Sequence, residues 1–172
     1  RVLFRSNYMG FGSGVCLPEW GLSLQNRGHG FSLREGHPNR VAPGQRPFHT
    51  IIPGFLSHEG APQMAFGVMG ANMQPQGHVQ TLLRMLTHHQ DPQAACDAPR
   101  WRFNQGLSIN TEQHMPASTR AALADLGHQI EPISDSYQDF GAGQFIWRQG
   151  DPAVDGYVAA SDPRRDGAAV GC

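Results

Sequence analysis

Met64 to His89 (MAFGVMGANMQPQGHVQTLLRMLTHH) is the stretch that most restricts how this chain can fold. Met64, Ala65, Phe66, Val68 and Met69 make an apolar run of strand length. Gly67, Gly70, Ala71 and Asn72 are small or turn-prone, so the backbone can pass close to a ligand there. Pro75 suits a first helical position. Val79, Leu82, Leu83 and Leu86 recur at helical spacing and predict one inward apolar face. A tight turn between strand and helix leaves backbone N–H groups pointing outward. With the helix dipole, they can hold an anion or a developing oxyanion. The plainer reading is a strand–helix corner whose glycines serve packing alone.

The rest of the chain fits around that unit. Residues 21–26 alternate as a half-buried strand does. Residues 48–57 and 62–69 predict an antiparallel pair turning at Glu59-Gly60. The helix near Pro75 runs for roughly 14 residues. Asp91 N-caps a second, short helix. Short strands flank Gly106, and residues 116–127 form a third helix that stops at Gly127. Gln129 to Ile133, Gly143 to Arg148 and Gly156 to Ala160 are further strands. Residues 1–4 also carry a short strand signal. This order predicts a single α+β domain over residues 1–172, with helices laid on mostly antiparallel strands.

Composition narrows the function. The 13 basic residues, all Arg, nearly balance 14 acidic ones. No basic stripe with interleaved aromatics exists, so nucleic-acid binding has little support. No stretch is long and apolar enough to span a membrane. Cys16, Cys96 and Cys172 are odd in number and far apart, which argues against a disulfide framework or zinc knuckle. Free thiols fit a reducing compartment, with the cytoplasm slightly favoured over the periplasm. Cys16 lies between Val15 and Leu17 and reads as a small core residue rather than a nucleophile. Nine histidines invite a metal, but His88 and His89 are adjacent and no H-E-x-x-H occurs. Asp135, Asp139 and Asp151 mark turns more naturally than an acid–base pair. No G-x-S-x-G elbow is present.

Two loops remain. Asn7-Tyr8-Met9-Gly10-Phe11-Gly12-Ser13-Gly14 can line a pocket with Tyr8 and Phe11 as walls, or simply connect a hairpin. Residues 27–47 form a long turn-rich loop carrying Arg27, His29, Arg34, His37, Arg40 and Arg46. Most of these suit a solvated surface; Arg27 and Arg46 abut strands and are the exceptions. There a guanidinium could meet an anionic substrate.

The Asn7–Gly14 loop, Leu24-Gln25-Asn26-Arg27-Gly28, Arg46-Pro47-Phe48-His49-Thr50, Gly67-Val68-Met69-Gly70, Asp97-Ala98-Pro99-Arg100 and Ala160-Ser161-Asp162-Pro163-Arg164 stand in an order that resembles one family. It is the small subunit of gamma-glutamyltranspeptidases, in the branch close to glutaryl-cephalosporin acylases. The resemblance implies an N-terminal-nucleophile (Ntn) hydrolase fold, an αββα sandwich made by autoprocessing of a precursor. It implies a threonine hydroxyl that attacks the amide of a glutathione-like donor, its own amino group being the base. The acyl-enzyme then passes its group to water or an amine.

By the same resemblance, the T-T-H segment carrying that threonine lies upstream of Asn7. The chain is expected to lack the nucleophile and the N-terminal strand, leaving the sandwich incomplete and this portion alone inactive. Gly70 and Ala71 take the oxyanion-hole positions, and Ala71 departs from the family's Gly-Gly. Asn7 matches a donor-binding asparagine. His49 and Thr50 stand where many members hold the donor carboxylate with a Ser-Ser pair. Arg27 and Gly30 stand where gamma-glutamyl-specific members bind the donor's α-amino group. An Arg there would repel an ammonium and attract a carboxylate, which points to a glutaryl-like acyl group. Arg5 replaces a small or amide residue and has no assigned role. The implied partners are the large subunit of the same precursor and a small amide substrate; no metal or organic cofactor is implied, and homo-oligomerisation stays open. The competing reading is a non-catalytic domain that binds a small acidic ligand or a partner chain.

Overall fold

The computed structural model describes residues 7–133 and 139–171. The strand signal at residues 1–4, Arg5, Asp135 and Cys172 lie outside the described residues. The chain divides into two compact units, Arg1–Thr50 and Ile51–Cys172.

In the first unit β1 (Cys16–Leu17) pairs antiparallel with β2 (Leu22–Ser23), and a 3-10 turn spans Arg27–Gly30. The strand expected over 21–26 is cut to two residues, because Asn26 is committed to loop contacts described below. Cys16 is exposed, not a core residue: both two-residue strands are too short to build a buried face.

Among the described residues, the second unit holds two sheets. Strands β3 (Gly54–His58) and β4 (Ala61–Met69) form the expected hairpin, with His58 opposite Ala61. Its two loop residues, Glu59 and Gly60, have φ of 51° and 78°, the pattern of a type I′ turn. Residues 48–53 are not strand; Pro53, which lacks an N–H, directly precedes β3. Next come α1 (Gln74–Leu86) and α2 (Pro92–Asp97), whose N-cap Asp91 accepts from the Ala94 amide at 2.8 Å. They are followed by β5 (Trp101–Gln105), β6 (Ser108–Glu112), α3 (Ala117–Asp125), β7 (Gln129–Ile133), β8 (Ala142–Arg148) and β9 (Tyr157–Ser161). One sheet runs β3-β4-β8-β9, all antiparallel; the other runs β5-β6-β7. The β6–β7 pair is parallel, since α3 carries the chain back as a crossover helix.

Helices α1 and α2 cover one face of the four-stranded sheet. Met64, Val68, Met85, Ala95, Cys96, Phe145 and Ala160 form that core. The Phe66 and Phe145 rings stack with centroids 6.2 Å apart. Gly77 is required: a Cβ there would lie 2.6 Å from Val68 Cγ1. On the opposite face, Phe55, Ala65, Ile146 and Ala159 form one cross-strand row and are all exposed.

The expected inward stripe on α1 is corrected. Leu82 packs against the core, but Val79, Leu83 and Leu86 are about half exposed. The buried face is polar: Gln74, Gly77, Gln80, Thr81 and only Met85 among large apolar residues. The reason is what α1 meets. Gln80 pairs both ways with the Trp101 backbone, donating to its carbonyl at 2.9 Å and accepting from its amide at 3.0 Å. Gln76 accepts from the Phe103 amide at 2.7 Å. These amides belong to the sheet-edge strand β5 and need acceptors more than apolar cover.

The two Asp/Pro/Arg motifs meet in one buried cluster. Arg100 (1% exposed) donates to Asp162 (0%) at 2.6 Å, and Arg164 bridges Asp162 at 3.1 Å and Glu112 at 2.5 Å. The amides of Gly143 and Arg164 also donate to Asp162, at 2.7 and 2.9 Å. Arg100 N–H donates to Glu112 at 2.7 Å. Two positive and two negative groups thus tie β6, α2, β8 and the segment after β9 together.

Candidate functional site

Gly70 and Ala71 follow the last ladder pair of β4, Met69 opposite Ala142. Gly70 has φ 134° and Ala71 φ 51°, so the chain turns sharply into Ala71–Met73 and then α1. Gly70 O accepts from Met73 N at 2.9 Å, and Ala71 O accepts from the Gln74 side chain at 3.2 Å. Both carbonyls are therefore used internally. Among the described residues, neither the Gly70 nor the Ala71 amide donates to a protein acceptor. Gly70 is the residue this approach demands: a Cβ would sit 3.0 Å from Gly141 Cα. Two consecutive amides at a strand–helix turn, without an acceptor among the described residues, are groups of the kind that can donate to an anion.

In the first unit, Arg27 is buried (8% exposed). Its Nη1 donates to Thr50 Oγ1 at 2.7 Å, and its guanidinium lies 4.6 Å from the Tyr8 ring centroid, a cation–π contact. Among the described residues, no carboxylate lies within ion-pair distance of it. Asn7 is half-buried and its carbonyl accepts from Asn26 N at 3.2 Å; His49 is exposed. Asn26 is the residue the sequence reading missed. Its side chain receives the Met9 amide at 2.9 Å and donates to the Met9 and Gly12 carbonyls at 3.0 and 3.1 Å. It staples the Gly-rich loop; the signal was an asparagine closing a strand beside Arg27-Gly28.

Other candidates separate cleanly. Arg46, expected to be special, is exposed, as are His29, Arg34, His37 and Arg40. Phe11 is exposed too. His88 and His89 are exposed. Asp139 pairs with Arg102 at 2.5 Å, and Asp151 accepts from the Ala153 amide within its own turn. Cys96 is buried, and burial, with the nearby Asp162 charge, pushes its thiol up to about 12; it is no nucleophile. Among the described residues no three His, Cys, Asp or Glu side chains converge on a metal-sized space.

The gamma-glutamyltranspeptidase family profile matches residues 3–172. The chain belongs to that family. It is 47% identical in sequence to a solved cephalosporin acylase from Bacillus halodurans, with a TM-score of 0.85 over 94% of this chain and 30% of that one. It is 36% identical over 174 residues to a glutathione hydrolase-like YwrD proenzyme from Bacillus subtilis, and 34% identical over 172 residues to an oxamate amidohydrolase proenzyme from Klebsiella pneumoniae. Each alignment takes 97% of this chain and 32% of the relative, so the chain spans about a third of their length. A gamma-glutamyltranspeptidase from Pseudomonas nitroreducens shares the fold, at 21% identity and a TM-score of 0.82. The α+β architecture is thus that of the transpeptidase and acylase structures.

Proposed function

We propose that this chain is the C-terminal part of the small subunit of an autoprocessed amide hydrolase or acyltransferase, both compact units belonging to one small-subunit domain. Gly70 and Ala71 supply amides to the oxyanion of an acyl intermediate. The attacking threonine comes from the precursor outside these residues, and the large subunit of that precursor is the partner. The exposed row Phe55, Ala65, Ile146 and Ala159 supports a partner layer on that sheet face, because a sheet buries both faces in a layered sandwich.

The donor is an amide whose acyl group ends in a carboxylate and lacks an α-amino group. Arg27 carries this reading: it is a buried cation with a hydroxyl and an aromatic ring for neighbours but no carboxylate among the described residues. Burying an unpaired charge is costly, and an anionic ligand would offset that cost. Thr50, His49 and Asn7 are the remaining donor-binding residues. At an effective dielectric constant near 20, unit charges about 4 Å apart interact by roughly 4 kcal/mol, attractive for a carboxylate and repulsive for an ammonium. Even after desolvation, a preference of more than about tenfold for a glutaryl over a gamma-glutamyl donor is expected. The cephalosporin acylase and the oxamate amidohydrolase among its relatives are compatible with this choice. Comparing hydrolysis of glutaryl- and gamma-glutamyl-anilides by the full-length processed protein tests it; a clear gamma-glutamyl preference refutes it.

A further inference from the structure

The end of β4 is held on one side by β8, through Met69 opposite Ala142, and by Gly141, whose backbone lies against Met69 O and Gly70. On its other side β3 stops early. The last β3 partner is Gly54, opposite Phe66, so among the described residues Val68 has no strand beside it there. Its amide donates instead to Nε2 of His78, at 2.9 Å, one turn into α1. The imidazole stands edge-on to the Phe66 ring, with centroids 5.1 Å apart, and Gly77 presses α1 onto Val68. His78 therefore takes the Val68 amide where β3 no longer reaches, two residues before Gly70.

We propose that His78 is a positioning residue for the acyl-transfer site. As a neutral hydrogen-bond acceptor, it fixes the last residues of β4 and, through them, the direction of the Gly70 and Ala71 amides. The inference rests on the oxyanion role proposed above. An amide facing Nε2 requires that nitrogen to be deprotonated, which places the ring proton on Nδ1. A protonated ring presents N–H to N–H and releases Val68. Oxyanion donors work only within a few tenths of an ångström of the right place, and an error of about 1 Å costs on the order of 100-fold.

The surroundings favour the neutral form. Burial lowers the His78 pKa below its ordinary 6.5. β4 and the Ala71–Met73 turn carry no ionisable side chain. Arg84, further along α1, is directed to Pro99 O at 3.0 Å. His58 and Arg148 stand at the hairpin end of the sheet, beside Ala61 and Pro62. The lock is thus closed at neutral pH and opens only on acidification below about 6.5.

The test uses the full-length processed enzyme with the anilide it hydrolyses, over pH 4.5–8. His78→Gln keeps an uncharged acceptor at similar reach; His78→Phe keeps a ring and removes the acceptor. His78→Phe is expected to lower kcat by roughly 10- to 100-fold at neutral pH with KM changed less than about threefold. His78→Gln is expected to keep kcat within a few-fold at neutral pH and to lack the acid limb expected of the wild type below pH 6.5. Hydrogen exchange of the peptide spanning residues 66–73, wild type against His78→Gln at equal pH, gives a readout independent of activity: the wild type alone loses protection on acidification. A His78→Phe enzyme with kcat within twofold of wild type, or a His78→Gln enzyme with an unaltered acid limb and unaltered exchange, overturns the proposal. If His78→Phe fails to fold, the glutamine variant decides alone. A wild type inactive on both anilides refutes the acyl-transfer reading, while the exchange arm still decides whether His78 holds β4.

Discussion

Asp162→Asn removes one charge from the buried cluster without changing its size, and the structure lets the consequence be worked through. Asp162 accepts four hydrogen bonds: from Arg100 at 2.6 Å, Gly143 N at 2.7 Å, Arg164 N at 2.9 Å and the Arg164 guanidinium at 3.1 Å. An asparagine retains one acceptor oxygen, and its NH₂ group faces donors. The cluster of Arg100, Arg164, Glu112 and Asp162 changes from neutral to a net positive charge while shut off from bulk solvent. Breaking a buried pair in this way costs about 3–5 kcal/mol. For a chain of this size each kcal/mol is worth about 2–4 °C, so Tm should fall by roughly 6–20 °C. The measurement is thermal unfolding of the processed enzyme at fixed concentration. Arg100→Met restores neutrality, so the double variant should lose less than the sum of the two single losses. Burial alone would raise the Asp162 carboxyl; Arg100, the Gly143 and Arg164 amides and the Arg164 charge outweigh it and hold it below its usual value. Its contribution is therefore complete above the unfolded pKa of about 3.9 and disappears as pH falls through the lower folded value. Asp162→Asn should flatten that acid loss. A Tm shift below about 3 °C, or strictly additive double-variant losses, would show that the cluster does not act as a charge-balanced unit.

Further outcomes follow from other sites. Ala71→Gly relieves a left-handed alanine at φ 51° and should raise stability by up to about 1 kcal/mol, read by urea unfolding; a loss would mean the methyl packs usefully. At pH 8, iodoacetamide should modify Cys16, which is exposed, and spare Cys96, whose thiol lies at about 12, until the protein is unfolded; peptide mapping distinguishes the two. Gln80→Leu should cost about 1–3 kcal/mol despite its apolar gain, because the Trp101 amide loses its acceptor; equal stability would mean that water replaces the amide group. Arg27→Met should raise KM for a glutaryl anilide more than it lowers kcat, and equal KM values would remove Arg27 from acyl recognition.

Local order was legible in the residues. Glu59-Gly60 announced the hairpin, Asp91 the α2 cap, Gly127 the end of α3, and Met64–Met69 followed by Pro75 the strand–turn–helix unit. Each depends on dihedral preference or capping chemistry within a few residues, which sequence encodes directly. The ordered motifs also identified the family, and Asp97-Ala98-Pro99-Arg100 and Ser161-Asp162-Pro163-Arg164 proved to be halves of one ionic cluster. Which face α1 buries was not legible. The apolar rule favoured Val79, Leu83 and Leu86, whereas strand edges from two sheets needed hydrogen-bond partners, and only tertiary contact shows that Gln76, His78 and Gln80 meet them. The same holds for Arg27: its charge stood in plain view, but its burial against Tyr8 and Thr50 belongs to the fold. Periodicity reports how much of a helix face is apolar; the backbone groups opposite decide whether that face turns inward.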